Sequence, residues 1–137
     1  MFPRKIIDYL VEWKDKKGRK PLVLRGARQV GKTSAVLMFG IKYFKNLIHL
    51  NLENIDHLRL FRGEISLDDF EKIIQIKFHQ KIVSGETLVF IDEIQNSPSL
   101  MKLLRFFYEE KPNLHVIGTG SLFQAKIERE GFSLPVV

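Results

Sequence analysis

The chain has 137 residues, 45% of them apolar, 28% charged and 11% aromatic, which is one domain's length with enough apolar content for a core and too much for disorder. It has no cysteine, excluding a disulfide framework, a thiol nucleophile and any thiolate zinc or iron–sulfur site. A net charge of +6 and a pI near 9.6 favour polyanionic partners without choosing among nucleotide phosphates, nucleic acid and acidic protein surfaces.

In chain order, Pro3 stands at a helix start, and Ile6, Ile7, Leu10, Val11 and Trp13 recur at helical spacing up to Gly18. Lys14, Lys16, Lys17, Arg19 and Lys20 read as solvated cations near that helix end, stabilised by its dipole, with nucleic-acid contact as the alternative. A short buried strand is expected over 21–25, a helix from Lys32 to about Phe44, and an alternating strand from Asn46 to Leu52. A short helix over 55–61 follows. Ser66 then caps a helix carrying Phe70, Ile73, Ile74, Phe78 and Ile82, expected to run to Ser84-Gly85. Thr87–Ile91 is an apolar strand, Ser97-Pro98 opens a helix that stops at Lys111-Pro112, and Leu114–Gly118 is a further strand. Thr119-Gly120-Ser121 leads into a last helical stretch to about Glu130.

Strands alternating with helices predict an α/β fold, a three-layer α/β/α sandwich with a mainly parallel sheet, in a single domain over 1–137. The apolar end, Leu134-Pro135-Val136-Val137, reads as heading into another buried element, so this domain is expected to be incomplete at its C-terminus. The longest apolar stretch, Ala35–Ile41, is far short of the roughly 20 residues that span a bilayer. No secretory signal pattern opens the chain, so a cytoplasmic location without a membrane partner is expected. The four histidines lack paired ligand spacing and read as scattered surface or boundary residues.

Gly26-Ala27-Arg28-Gln29-Val30-Gly31-Lys32-Thr33 matches G-x-x-x-x-G-K-[ST] at every fixed position, between a strand and a helix as that motif requires. Backbone amides from Gly26 to Ser34 are expected to wrap the phosphates, where the glycines let the main chain come close and the helix start adds its positive end. Lys32 is expected to reach the β- and γ-phosphates and the Thr33 hydroxyl to ligate Mg²⁺. Leu88–Ile91 ends in Asp92-Glu93, bringing two carboxylates to the sheet edge where open α/β sheets bind ligands. Asp92 is the expected second Mg²⁺ ligand, and Glu93 the group that orients or deprotonates the attacking water. At the end of the last strand Ser121 is the first choice, and Thr119 the second, to hydrogen-bond the γ-phosphate or the water. The chain has neither D-x-x-G after the apolar strand nor N-K-x-D, which disfavours a GTPase and points to ATP.

Arg25–Thr33 (RGARQVGKT), Phe90–Gln95 (FIDEIQ) and Thr119–Ser121 (TGS) together resemble the AAA+ superfamily of P-loop ATPases, in particular a bacterial and archaeal group with these motif fillings. The resemblance spans nearly the whole chain. It implies an extra strand between the two nucleotide motifs, ATP bound by the P-loop, Mg²⁺ held through Thr33 and Asp92, Glu93 as the catalytic carboxylate, and Ser121 in the sensor position. Proteins of that group continue into the rest of the ATPase domain and a C-terminal nuclease-like domain. Neither a helical lid nor a second sensor is readable here, and Arg129 is the nearest residue to an arginine finger. The expected activity is hydrolysis of ATP to ADP and phosphate, slow in isolation. Expected partners are ATP and ADP, and further copies of the chain or another protein; charge alone supports nucleic acid. The alternatives are a nucleotide-dependent protein or DNA interaction switch, with hydrolysis secondary, and a P-loop phosphotransferase.

Overall fold

The computed structural model describes residues 3–25 and 31–120. Gly26–Val30, Ser121, the expected last helix with Arg129, and the apolar C-terminal end lie outside the described residues. Helix α1 (Pro3–Asp15) is followed by β1 (Leu22–Arg25), α2 (Lys32–Tyr43), β2 (Asn46–Asn51), α3 (Ile55–Leu60), α4 (Leu67–Phe78), β3 (Thr87–Asp92), a 3-10 turn (Ile94–Asn96), α5 (Pro98–Glu110) and β4 (His115–Gly120). The four strands form one parallel sheet in the order β1-β4-β3-β2. Strand β4 therefore sits between β1, which leads into the P-loop, and β3, which ends in the acidic pair. That is the inserted strand implied by the resemblance.

Period-2 alternation divides the strand side chains between two cores. Leu22, Leu24, Leu88, Phe90 and Ile117 pack with Ile6, Leu10 and Trp13 of α1 and Ala35, Val36 and Phe39 of α2. Val23, Ile48, Leu50, Val89, Ile91 and Val116 pack on the opposite face with Phe70 and Ile74 of α4 and Leu100, Leu103, Leu104 and Phe107 of α5. The result is the expected three-layer sandwich. Both faces of the sheet are covered, so β3 is buried almost throughout. Each fully buried side chain of this size contributes about 1.5–3 kcal/mol. On the outer strand β2 only Ile48 and Leu50 are fully buried, and the other residues stay partly accessible.

The caps explain the element boundaries. Gly31 (φ 78°) is the left-handed residue from which α2 starts. Ser66 and Asp69 form a reciprocal capping box at α4. Ser97 accepts from the Leu100 amide, and Pro98 opens α5.

Helix α4 ends at Phe78, short of the Ser84-Gly85 expected from the apolar spacing, because His79 turns left-handed (φ 54°). The following segment is held by strand ends instead. Asn46 Nδ2 donates to Gln80 Oε1 (3.1 Å) and to the Lys81 carbonyl (3.0 Å), and the Val83 amide donates to Thr87 Oγ1 (2.9 Å). Among the described residues no helix is long and apolar enough to cross a membrane.

Candidate functional site

The carboxyl ends of β3 and β4 and the start of α2 converge on a cleft of about 160 Å³ lined by Lys32, Thr33, Asn51, Glu53, Asp92, Glu93, Thr119 and Gly120. Strand alternation explains the meeting. Leu88 and Phe90 face α1 and α2, so Asp92, two residues on, faces the same side, where α2 carries Thr33. The Thr33 hydroxyl donates to Asp92 Oδ2 (3.1 Å) and the Thr119 hydroxyl donates to Asp92 Oδ1 (2.5 Å). Burial works to raise the Asp92 pKa, but the nearby His49 ring and the donating hydroxyls of Thr119 and Thr33 outweigh it and hold the carboxyl below its ordinary value. Asp92 is thus an anion at neutral pH.

Lys32, in the first turn of α2, is 8% exposed. Burial lowers the pKa of its ammonium, while the facing Glu93 and Asp92 work to raise it. Glu93 follows Asp92 with a left-handed backbone (φ 55°, ψ 47°), unusual for a residue with a side chain and costing about 1–2 kcal/mol. That conformation ends the strand. The Glu93 amide donates to Thr119 Oγ1 (3.4 Å), and Glu93 Oε1 accepts from Gln95 Nε2 (3.2 Å). The two carboxylates therefore leave β3 in different directions while lining one cleft, as expected from their adjacency.

Of the residues singled out in the sequence, Lys32, Thr33, Asp92 and Glu93 come together here. Gly31 caps α2 beside them, and Ser34 is exposed outside the cleft lining. Gly26, Ala27, Arg28, Gln29, Val30 and Ser121 lie outside the described residues. Thr119, the second choice at the end of the last strand, belongs to β4 itself and not to a turn after it. Its place beside β3 puts its hydroxyl on Asp92.

Sequence reasoning missed the contribution of β2. His49 is a half-buried boundary residue, as expected, but its ring also stacks flat on Phe90 (centroids 4.8 Å apart, 6° between planes), with Nε2 3.6 Å from Asp92 Oδ2. Asn51 pairs in register with Asp92, and its backbone amide donates to His57 Nδ1 (3.0 Å). The alternation in N-L-I-H-L-N-L carried this signal: His49 and Asn51 share a face, and only the strand order was needed to bring that face to Asp92.

Among the described residues no cluster of three His, Asp or Glu side chains is placed to hold a metal alone. The paired Thr33 hydroxyl and Asp92 carboxylate are hard oxygen donors of the kind Mg²⁺ takes, its remaining positions going to phosphate and water. The donor set thus fits Mg²⁺ brought by a nucleotide.

A parallel sheet with a G-x-x-x-x-G-K-T helix start facing a strand-end carboxylate defines the P-loop α/β nucleotide-binding class. Residues 18–132 match the family described as an AAA domain, and the chain belongs to that family. Nucleotide binding and ATPase-type function follow at the level of the family. In fold the chain is similar to the Aeropyrum pernix ORC1 protein, whose structure is a complex with DNA (TM-score 0.56, 13% identity, covering 98% of this chain and 43% of that one). It is also similar to Caenorhabditis elegans PCH-2 (0.57, 16%, 99% and 42%) and to Drosophila ORC bound to DNA (0.52, 11%, 98% and 28%). The chain spans less than half the length of each of these structures. No match emerges among curated proteins.

Proposed function

We propose that the chain binds Mg²⁺·ATP in the cleft between α2 and β3 and hydrolyses it to ADP and phosphate, slowly when alone. The observation that carries this reading is the hydrogen bond from Thr33 to Asp92, with Lys32 and Glu93 lining the same cleft. Backbone amides over 26–34 wrap the phosphates, and Lys32 offsets charge on the β- and γ-oxygens. Thr33 and Asp92 hold Mg²⁺, which when bound neutralises charge developing on those oxygens. Glu93 orients a water and takes its proton as the water oxygen bonds to the γ-phosphorus and the bond to the ADP oxygen breaks. Thr119 holds Asp92 in place, and Ser121 contacts the γ-phosphate or the water. Lack of an arginine from a neighbouring copy costs such sites about 10³–10⁵ in rate, so fast turnover requires assembly.

The test is ATP titration with and without Mg²⁺ for wild type and Lys32→Ala. Loss of the ammonium removes charge-assisted hydrogen bonds worth roughly 1.5–3 kcal/mol, an expected weakening of about 10–100-fold. Equal affinity in the two proteins would overturn the site.

A second reading, the nucleotide-dependent switch, draws on one feature. Glu93 is the residue from which the 3-10 turn leading to α5 departs, so a nucleotide that engages Glu93 acts on the start of α5. In Glu93→Gln, partner binding that survives the loss of turnover favours this reading.

A further inference from the structure

The His49 ring rests on Phe90 with Nε2 shielded from solvent, and that nitrogen has no hydrogen-bond partner within 3.5 Å. The polar atom it approaches is Asp92 Oδ2 at 3.6 Å, the same oxygen that accepts from Thr33. A buried ring nitrogen without a partner is unfavourable, and a small approach of the two side chains satisfies both groups. The sheet register accounts for the placement. His49 lies opposite Phe90, which sets its side chain diagonally to Asp92 on the same face, within reach of a long or aromatic side chain.

We propose that His49 is a positioning residue: its Nε2–H holds the Asp92 carboxylate in the orientation that turns Oδ2 toward Thr33. Three donors then share the carboxylate, with Thr119 on Oδ1 and Thr33 and His49 on Oδ2. When the Thr33 hydroxyl is engaged elsewhere, Thr119 and His49 still fix the carboxylate plane from opposite sides. A neutral imidazole with its proton on Nε2 is sufficient. Stacking on Phe90 fixes the ring plane, so the donor direction is set before any ligand arrives. The inference rests on the proposed function, because it assigns His49 a role toward the metal-side carboxylate of that site.

The experiment titrates Mg²⁺ against the whole chain with a fluorescent ATP analogue, and separately measures affinity for that analogue in EDTA. Removing a group that orients a metal ligand typically costs 10–100-fold in metal affinity. His49→Ala is therefore expected to raise the Mg²⁺ midpoint about tenfold or more and to leave affinity in EDTA unchanged. His49→Phe keeps the stacked ring without the donor and is expected to match Ala. His49→Gln supplies an amide donor at a similar reach and is expected to recover most of the effect. A wild-type Mg²⁺ midpoint in the Phe variant would overturn the inference, as would equal losses with and without Mg²⁺. Wild-type protein whose ATP binding ignores Mg²⁺ would overturn the site assignment itself, and the role of His49 with it, before any His49 variant is compared.

Discussion

The two ends of the parallel sheet each hold a histidine packed on aromatic rings, and they use it differently. At the amino end, His115 is buried between Trp13 (5.4 Å) and Phe44 (5.0 Å) in edge-on contacts. Its Nε2 donates to the Lys14 carbonyl (3.0 Å), and its Nδ1 accepts from Arg19 Nη2 (3.0 Å), which also donates to the Asn113 carbonyl (2.9 Å). These bonds tie the end of α1 to the start of β4. At the carboxyl end, His49 lies flat on Phe90 and faces a carboxylate that borders an open cleft. A histidine bonded to a backbone carbonyl and a structural cation serves as a staple. One aimed at a carboxylate that is itself offered to a ligand serves a site.

If this division is right, substitutions at one end leave the other untouched. The largest expected effect is at the carboxyl end. Glu93→Gln lowers single-turnover hydrolysis about 10²–10⁴-fold, the usual contribution of a general base, with no change in the urea midpoint. Loss of stability in step with activity would break the comparison.

His115→Ala does the reverse. Removing a buried ring and its hydrogen bonds costs about 2–4 kcal/mol, read as a lower urea midpoint, with ATP affinity unchanged.

Acid sharpens the same contrast. Burial, with help from Arg19 and Lys14 and against the bond to the Lys14 carbonyl and the charge of Asp15, lowers the His115 pKa from 6.5 to about 4. The folded state therefore binds fewer protons than the unfolded state between those values. This contribution to stability is complete above about pH 6.5 and is lost as pH falls toward 4. Thermal melts from pH 7 to pH 4 should show a steeper decline for wild type than for His115→Phe.

The smallest effect is expected at the start of α5, just beyond the 3-10 turn that leaves β3. Ser97→Ala removes the cap on α5 and costs about 1 kcal/mol by chemical denaturation. A much larger loss would mean that the start of α5 depends on the site through the 3-10 turn.

Much of this architecture was legible in the chain because its signals are local. The spans of β1, β3, α1 and α5 and the start of α4 follow from apolar runs, helical spacing and caps at Ser97-Pro98 and Ser66. Lys32, Thr33, Asp92 and Glu93 could be named from motif spacing, because backbone wrapping of phosphate and a strand-end carboxylate impose fixed residue types. The end of α4 was not legible. Nothing near His79 announces that Gln80 to Val83 will be held by Asn46 and Thr87, 34 residues away at one end and only four at the other. Nor did Thr119-Gly120 announce a continuation of the strand, since its extended form depends on pairing with β1.

By itself the sequence determined most of the strand and helix segments, that the sheet is parallel, and which residues are the candidates in the loop and the acidic pair. Period, capping and motif spacing are properties of neighbouring residues and need no fold to act. Only the tertiary structure decided that β2 lies beside β3 in a register that sets His49 and Asn51 against the site, that Thr119 braces Asp92, and that His115 is a buried staple. Those relations arise between strands far apart in sequence. They depend on strand order and register, which long-range packing selects and local pattern leaves open.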